Sequence, residues 1–103
     1  MNFLAIFVAG ALLCNAIPHL TSGLSGHPFP TPFAKPSGVG ASPPLVNFLW
    51  GVVNAAAGSL ILSRYPVSAG LNPAFAAFVG GALVLGAFMS IHFGKVHSGA
   101  AGR

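Results

Sequence analysis

The sequence predicts an all-α membrane protein: a three-helix transmembrane bundle with a long Pro/Gly-rich loop between helices 1 and 2. Composition points there first. Of 103 residues, 54% are hydrophobic and 4% are charged, where soluble domains carry about 25% charged residues. Three apolar runs then approach or exceed the length needed to cross hydrocarbon. Finally, the chain between the first two runs holds Pro18, Pro28, Pro30, Pro32, Pro36, Pro43 and Pro44. Each removes a backbone donor and fixes φ, so neither a helix nor a central strand is expected there.

The first helix is expected over about 2–17. At 1.5 Å per residue it reaches about 24 Å, slightly short of a 30 Å core. It spans if Pro18 sits among the headgroups. No positive segment precedes the run, so it reads as a retained helix rather than a cleaved signal. The loop follows over 18–42. Gly23, Gly26, Gly38 and Gly40 supply turns. Phe29 and Phe33 favour burial, so the loop is expected to fold onto the end of the bundle.

The second helix is expected over about 43–63, with Ser42 as N-cap and Pro43 in the first helical position. Arg64 and Tyr65 close it at the interface. A short loop over 64–72 implies an antiparallel neighbour. The third helix, about 73–94, starts on Asn72 as N-cap and Pro73, and ends near Gly94 and Lys95. A small-residue tail covers 95–103. All three segments form one membrane domain.

The chain contains no Asp or Glu. That excludes carboxylate acid–base catalysis, protein carboxylates on a metal, and internal ion pairs, unless a partner supplies the acid. No catalytic motif is present, and no enzymatic activity is expected. The cations Lys35, Arg64, Lys95 and Arg103 are scattered rather than striped, so no nucleic-acid partner is expected. With three spans, Lys35, Lys95 and Arg103 share one side and Arg64 the other. The positive-inside rule then puts the N-terminus out and the C-terminus in, with a bacterial inner membrane as the setting. Cys14 is the only cysteine and reads as a small core residue.

Small residues recur every fourth position: Gly51, Ala55, Ser59 and Ser63 on the second helix, and Ala82, Gly86, Ser90 and Gly94 on the third. Such stripes let helix backbones approach in lipid. They pack helices two and three together, or they bind a partner helix or another copy. Asn15, Asn47 and Asn54 are intramembrane polar residues that need partners, as structural glue between helices or as contacts to a ligand. Trp50 reads as an interfacial anchor.

His19, His27, His92 and His97 all fall on the predicted cytoplasmic side. An interfacial role accounts for them without any ligand. Two further readings are His19 and His92 as axial ligands of a haem b, and a transition-metal site built from all four.

The segment Asn15–Asn54 carries an Asn-Ala-x-Pro-His opening (Asn15–His19), a TPFAKP core (Thr31–Pro36) and an Asn-x-x-Trp-Gly helix start (Asn47–Gly51). In these it resembles a group of small bacterial integral membrane proteins to which no activity is attached. The resemblance implies that the loop and the adjoining helix ends form one unit.

The functional expectation is a small non-catalytic integral membrane protein, an accessory or self-associating subunit whose partners are the bilayer and other transmembrane helices. The alternatives are a His-ligated haem or metal-binding subunit, and an oligomeric transporter or channel component with Asn47, Gly51 and Asn54 along the path.

Overall fold

A computed structural model of the chain describes residues 2–102. Arg103, counted above among the cytoplasmic cations, lies outside them. Three helices are long and apolar enough to cross a membrane: α1 (Phe3–Leu24), α2 (Pro44–Arg64) and α3 (Pro73–Gly102). Between α1 and α2 lies a short antiparallel strand pair, β1 (Phe29–Pro30) with β2 (Ala41–Ser42).

The first helix begins where Asn2 Oδ1 accepts from the Ala5 amide at 3.0 Å. It does not stop at Pro18. Residues 18–24, expected in the loop, are helical. Proline deprives the Cys14 carbonyl of its helical donor, but one local and two tertiary contacts outweigh that loss. The Thr21 hydroxyl donates to the Ile17 carbonyl at 2.9 Å, His19 bonds across to α2, and Gly23 lies against the Phe48 backbone. The stop comes at Ser25 and Gly26. Gly26 takes φ 73°, its amide reaches the Gly23 carbonyl, and the His27 amide reaches the Ser22 carbonyl. Two such bonds around a left-handed residue make a Schellman cap, and glycine adopts that φ without steric cost.

The second helix starts one residue later than expected, with Pro43 as N-cap and Pro44 inside the first turn. Ser42 is not a cap; it belongs to β2 and is buried. The third helix starts as expected: Asn72 Oδ1 accepts from the Phe75 amide at 2.8 Å. It continues through Gly94, because one glycine costs a helix only about 1 kcal/mol relative to alanine. Its 30 residues exceed what a 30 Å core requires, so part of the helix extends beyond the hydrocarbon.

The helices form a row with α1 in the middle. It packs along both neighbours, whereas no comparable seam joins α2 to α3 among the described residues. The expected pairing of helices two and three is therefore replaced by two separate seams on α1. Each is lined by small residues, though only partly the expected ones. On α2 the buried face is Asn47, Gly51, Asn54 and Gly58. A Cβ at Gly51 would strike Leu20, and one at Gly58 would strike Leu13. Ala55 is half-buried, and Ser59 and Ser63 are exposed. Offsets of four, three and four follow the helical period, whereas strict fours drift around the helix.

On the other side, Gly10 meets the Phe78 carbonyl and Gly81 the Phe7 carbonyl. Ala82 and Gly86 border this seam, and a Cβ added at Gly86 would stand 3.4 Å from the Cys14 sulfur. Ser90 is exposed and bonds the Gly86 carbonyl of its own helix at 2.8 Å. Gly94 has open space where a side chain would stand. In lipid, where apolar contact alone gains little, such close backbone approach supplies the association energy.

The α1–α3 seam yields a paired expectation. Gly81→Leu should cost about 2–3 kcal/mol or more, because its Cβ meets backbone that cannot step aside. Gly94→Ala should be neutral or stabilising by up to about 1 kcal/mol. Reversible unfolding in mixed detergent micelles measures both. A Gly81→Leu protein as stable as the parent would refute the seam.

Candidate functional site

The connection between α1 and α2 is a folded cap rather than an open loop. Phe29 pairs with Ser42 and Pro30 with Ala41. The side-chain oxygens of Thr31 and Ser42 hydrogen-bond at 2.5 Å, both residues buried. The Gly38 amide donates to the Thr31 carbonyl at 2.9 Å, and the Gly40 amide to the Pro36 carbonyl at 2.8 Å. The Ser37 hydroxyl closes onto the Pro32 carbonyl at 2.8 Å. Gly38 takes φ 70°, and Gly40 lies against the Lys35 backbone with no room for a Cβ. The prolines break regular structure as expected, and side chains and turns supply the hydrogen bonds that a helix would have made.

One buried amide joins this cap to the helices. Asn47 is fully buried. Its Nδ2 donates to the Phe29 carbonyl at 2.9 Å and the Ser42 carbonyl at 3.1 Å, one on each cap strand. Carbonyls only accept, so this fixes the amide's orientation. Asn47 Oδ1 therefore faces His19, which donates through Nδ1–H at 2.7 Å. In the neutral imidazole Nε2 then keeps its lone pair. The His19 ring, 2% exposed, stands edge-on to Phe29 with centroids 5.5 Å apart.

A second latch ties the cap to α3. His92 Nε2–H donates to the Gly38 carbonyl at 2.7 Å, leaving Nδ1 as acceptor in the neutral ring. Phe29 packs against Phe93 at 4.7 Å and His97 at 6.1 Å between centroids. Deeper in the bundle, Asn15 Nδ2 donates to Asn54 Oδ1 at 2.9 Å, and Asn54 Nδ2 to the Trp50 carbonyl at 2.8 Å.

These contacts enclose a cleft of about 300 Å³. Its floor is Asn15 and His19 of α1, one wall is Trp50, and the other is Leu85, Phe88, Met89, His92 and Phe93. Pro30, Thr31, Pro32, Ser37 and Gly38 form the roof. The cleft exists because α2 and α3 each pack on α1 and not on one another. Phe88 lines it and is also 58% exposed, so this wall borders the lipid-facing surface. Trp50 Nε1–H is buried with no acceptor, while its ring stands edge-on to Phe33 at 5.0 Å. The anchor expected at a headgroup is thus a cleft wall with an unused donor.

The expected sites fare differently. His19 and His92 line the same cleft, and His97 flanks it through Phe29. His27 is exposed, and its amide serves the helix cap. The four-histidine metal site is not assembled: no group of three or more His, Cys, Asp or Glu able to hold an ion occurs among the described residues. His92 gives Nε2 to the Gly38 carbonyl rather than to an axial haem position. Asn47 and Asn54 are buried, and each bonds across to α1. Thr31, Ser42 and Gly38 hold the cap through contacts that the sequence does not show: Ser42 is expected there as an N-cap, Gly38 as a turn residue and Thr31 as part of the TPFAKP core.

A larger concavity, about 590 Å³, lies beside α3 around Leu71, Phe75, Val79 and Leu83. Its one polar side chain, Asn72, is already committed to the Phe75 amide and the Ser68 carbonyl. It offers lipid a surface but no chemistry. Comparison with known protein families, curated proteins and solved structures finds no match, so the cleft is read from its own chemistry.

The amide clamp gives a direct expectation. Asn47→Leu strands the His19 N–H and two cap carbonyls in a dry site, at roughly 2–4 kcal/mol in total. The cap should open while the helices persist. Limited proteolysis should then cut within residues 25–43 of the variant, with helical circular dichroism preserved. An equally resistant cap would show that the clamp is not what holds it.

Proposed function

We propose that this chain is a small non-catalytic membrane protein that binds a lipid-soluble molecule in the cleft roofed by the cap. One observation carries the reading: a space of about 300 Å³ lies beneath the cap, walled by Trp50, Leu85, Phe88, Met89 and Phe93 and bordering the lipid-facing surface at the exposed Phe88. The apolar walls suit a molecule that partitions into the bilayer. The absence of any carboxylate in the chain supports binding over catalysis.

Orientation follows from charge. Lys35 is on the cap and Lys95 lies near the latched end of α3, while Arg64 closes the opposite end of α2. By the positive-inside rule the cap faces the cytoplasm of a bacterial inner membrane. A Ser37→Cys protein in a Cys14→Ala background should react with a membrane-impermeant maleimide only in inverted vesicles. Labelling in intact spheroplasts would reverse the topology.

A second reading, membership in a larger membrane assembly, has its own observation. The outer helices direct Val52, Val53 and Leu60 of α2 and Leu83, Val84 and Ile91 of α3 away from α1, all exposed. Lipid or further helices cover them. Isolation from native membranes separates these: a stoichiometric integral partner or homo-oligomer supports assembly, and a lone monomer counts against it.

Binding is tested on protein extracted with its native lipid. Native mass spectrometry should find one small molecule retained by the parent and lost from Leu85→Phe, which narrows the cleft. Equal retention by both proteins, or none by the parent, would oppose the binding reading.

A further inference from the structure

The surroundings of the cleft narrow the class of its ligand. Resting on the binding reading above, we propose that the cleft holds an acyl tail of an anionic phospholipid whose head is bound by Lys35 and Lys95. The lining takes a tail and rejects a head. No lysine or arginine stands among the lining residues, so a phosphate buried there would lack a partner. Leu85, Phe88, Met89 and Phe93 offer apolar surface instead, and Phe88 is exposed to the bilayer side. A tail already dissolved in the bilayer enters past Phe88, between α2 and α3, with the cap closed.

The face of α3 beside the cleft runs from hydrocarbon to headgroup. Phe88, His92 and Lys95 follow offsets of four and three, the spacing of one helix face. The Phe88 and His92 rings are stacked, with centroids 5.5 Å apart and planes 4° from parallel, so both side chains lie on that face. Seven residues of helix rise about 10 Å. With Lys95 at the phosphates, Phe88 is therefore at acyl depth. A lipid standing along this face meets apolar wall at its tail and a cation at its head.

The latch brings a second cation to the same end. His92 bonds the Gly38 carbonyl at 2.7 Å. Lys35 precedes Gly38 by three residues on the cap, and Lys95 stands one turn beyond His92. The cap turn is tight: the Val39 and Gly40 amides both donate to the Pro36 carbonyl, at 3.0 and 2.8 Å. Lys35 is thereby kept near the latch. Both lysines are exposed, and the chain has no Asp or Glu to pair with either. Arg64 closes the opposite end of α2. Lysines at headgroup depth attract anionic lipid and gain little from a zwitterionic one.

Native mass spectrometry of the full chain, delipidated in mild detergent, tests the assignment. The probes are a phosphatidylglycerol and a phosphatidylcholine with identical acyl chains. One phosphatidylglycerol should bind about tenfold or more tightly than the phosphatidylcholine. Lys35→Gln together with Lys95→Gln should abolish that preference, and Arg64→Gln should keep it. Leu85→Phe should weaken both lipids, and glycerol phosphate, a head without a tail, should displace neither. The comparison of the two lipids needs no variant and stands even if Leu85→Phe fails to fold. Equal affinity for both lipids would overturn the proposal. So would a preference that survives the double lysine change, a preference lost on Arg64→Gln, displacement by glycerol phosphate, or unaltered binding to a folded Leu85→Phe protein. A native molecule that is retained and is not a phospholipid would also overturn it, while leaving the binding reading intact. No retained molecule and no binding of either lipid would defeat both.

Discussion

The rest of the architecture depends on a single buried amide. Asn47 joins three pieces of chain that are distant in sequence: His19 on α1, Phe29 on the first cap strand and Ser42 on the second. A fully buried amide with its partners in place rigidifies its surroundings, and one without them is costly. That asymmetry favours the docked cap over any arrangement that leaves the amide unpaired. The clamp also accounts for α1 beyond Pro18, because His19 lies on the extra helical turns and is held there by the bond. Without that anchor the proline would mark the end of the helix, as local chemistry alone expects.

Around the clamp, glycine and alanine set the distances. Gly51 and Gly58 bring α2 onto α1, and Gly10 and Gly81 bring α3 onto the opposite side. Two close seams on one helix leave the outer pair apart, and the gap between them is the cleft. The cap closes its end through the His92 bond and the packing of Phe29 on Phe93. Packing in lipid and polar satisfaction at the bundle end thus act together: the first opens a space, and the second roofs it.

The helices were legible in the sequence because length and apolarity are local properties. The starts of α2 and α3 were found to within a residue, since proline after a capping position has one physical meaning. The end of α1 was not, because its continuation depends on a bond to a residue 28 positions away. Small-residue stripes are visible, but spacing shows that a face is small, not which helix meets it: of the two expected uses, packing helix two on helix three gives way to separate seams on α1. The intramembrane asparagines were legible as groups needing partners. Their actual partners, and the pairing of Thr31 with Ser42, required the fold of the cap. His19 and His92 were singled out together and do share a cleft, yet each spends one nitrogen on the protein, which a count of histidines cannot reveal.

The clamp also sets the state of a cleft residue, because Asn47 decides which His19 nitrogen is free. Nitrogen NMR of isotope-labelled histidine, on the protein in lipid at neutral pH, tests this most directly. The structure predicts that His19 is the Nδ1–H tautomer: a protonated, slowly exchanging Nδ1 and an unprotonated Nε2, with the Nδ1 signal altered by Asn47→Leu. A His19 ring protonated at Nε2, or one averaging rapidly between tautomers, would contradict the clamp and the docked cap that rests on it.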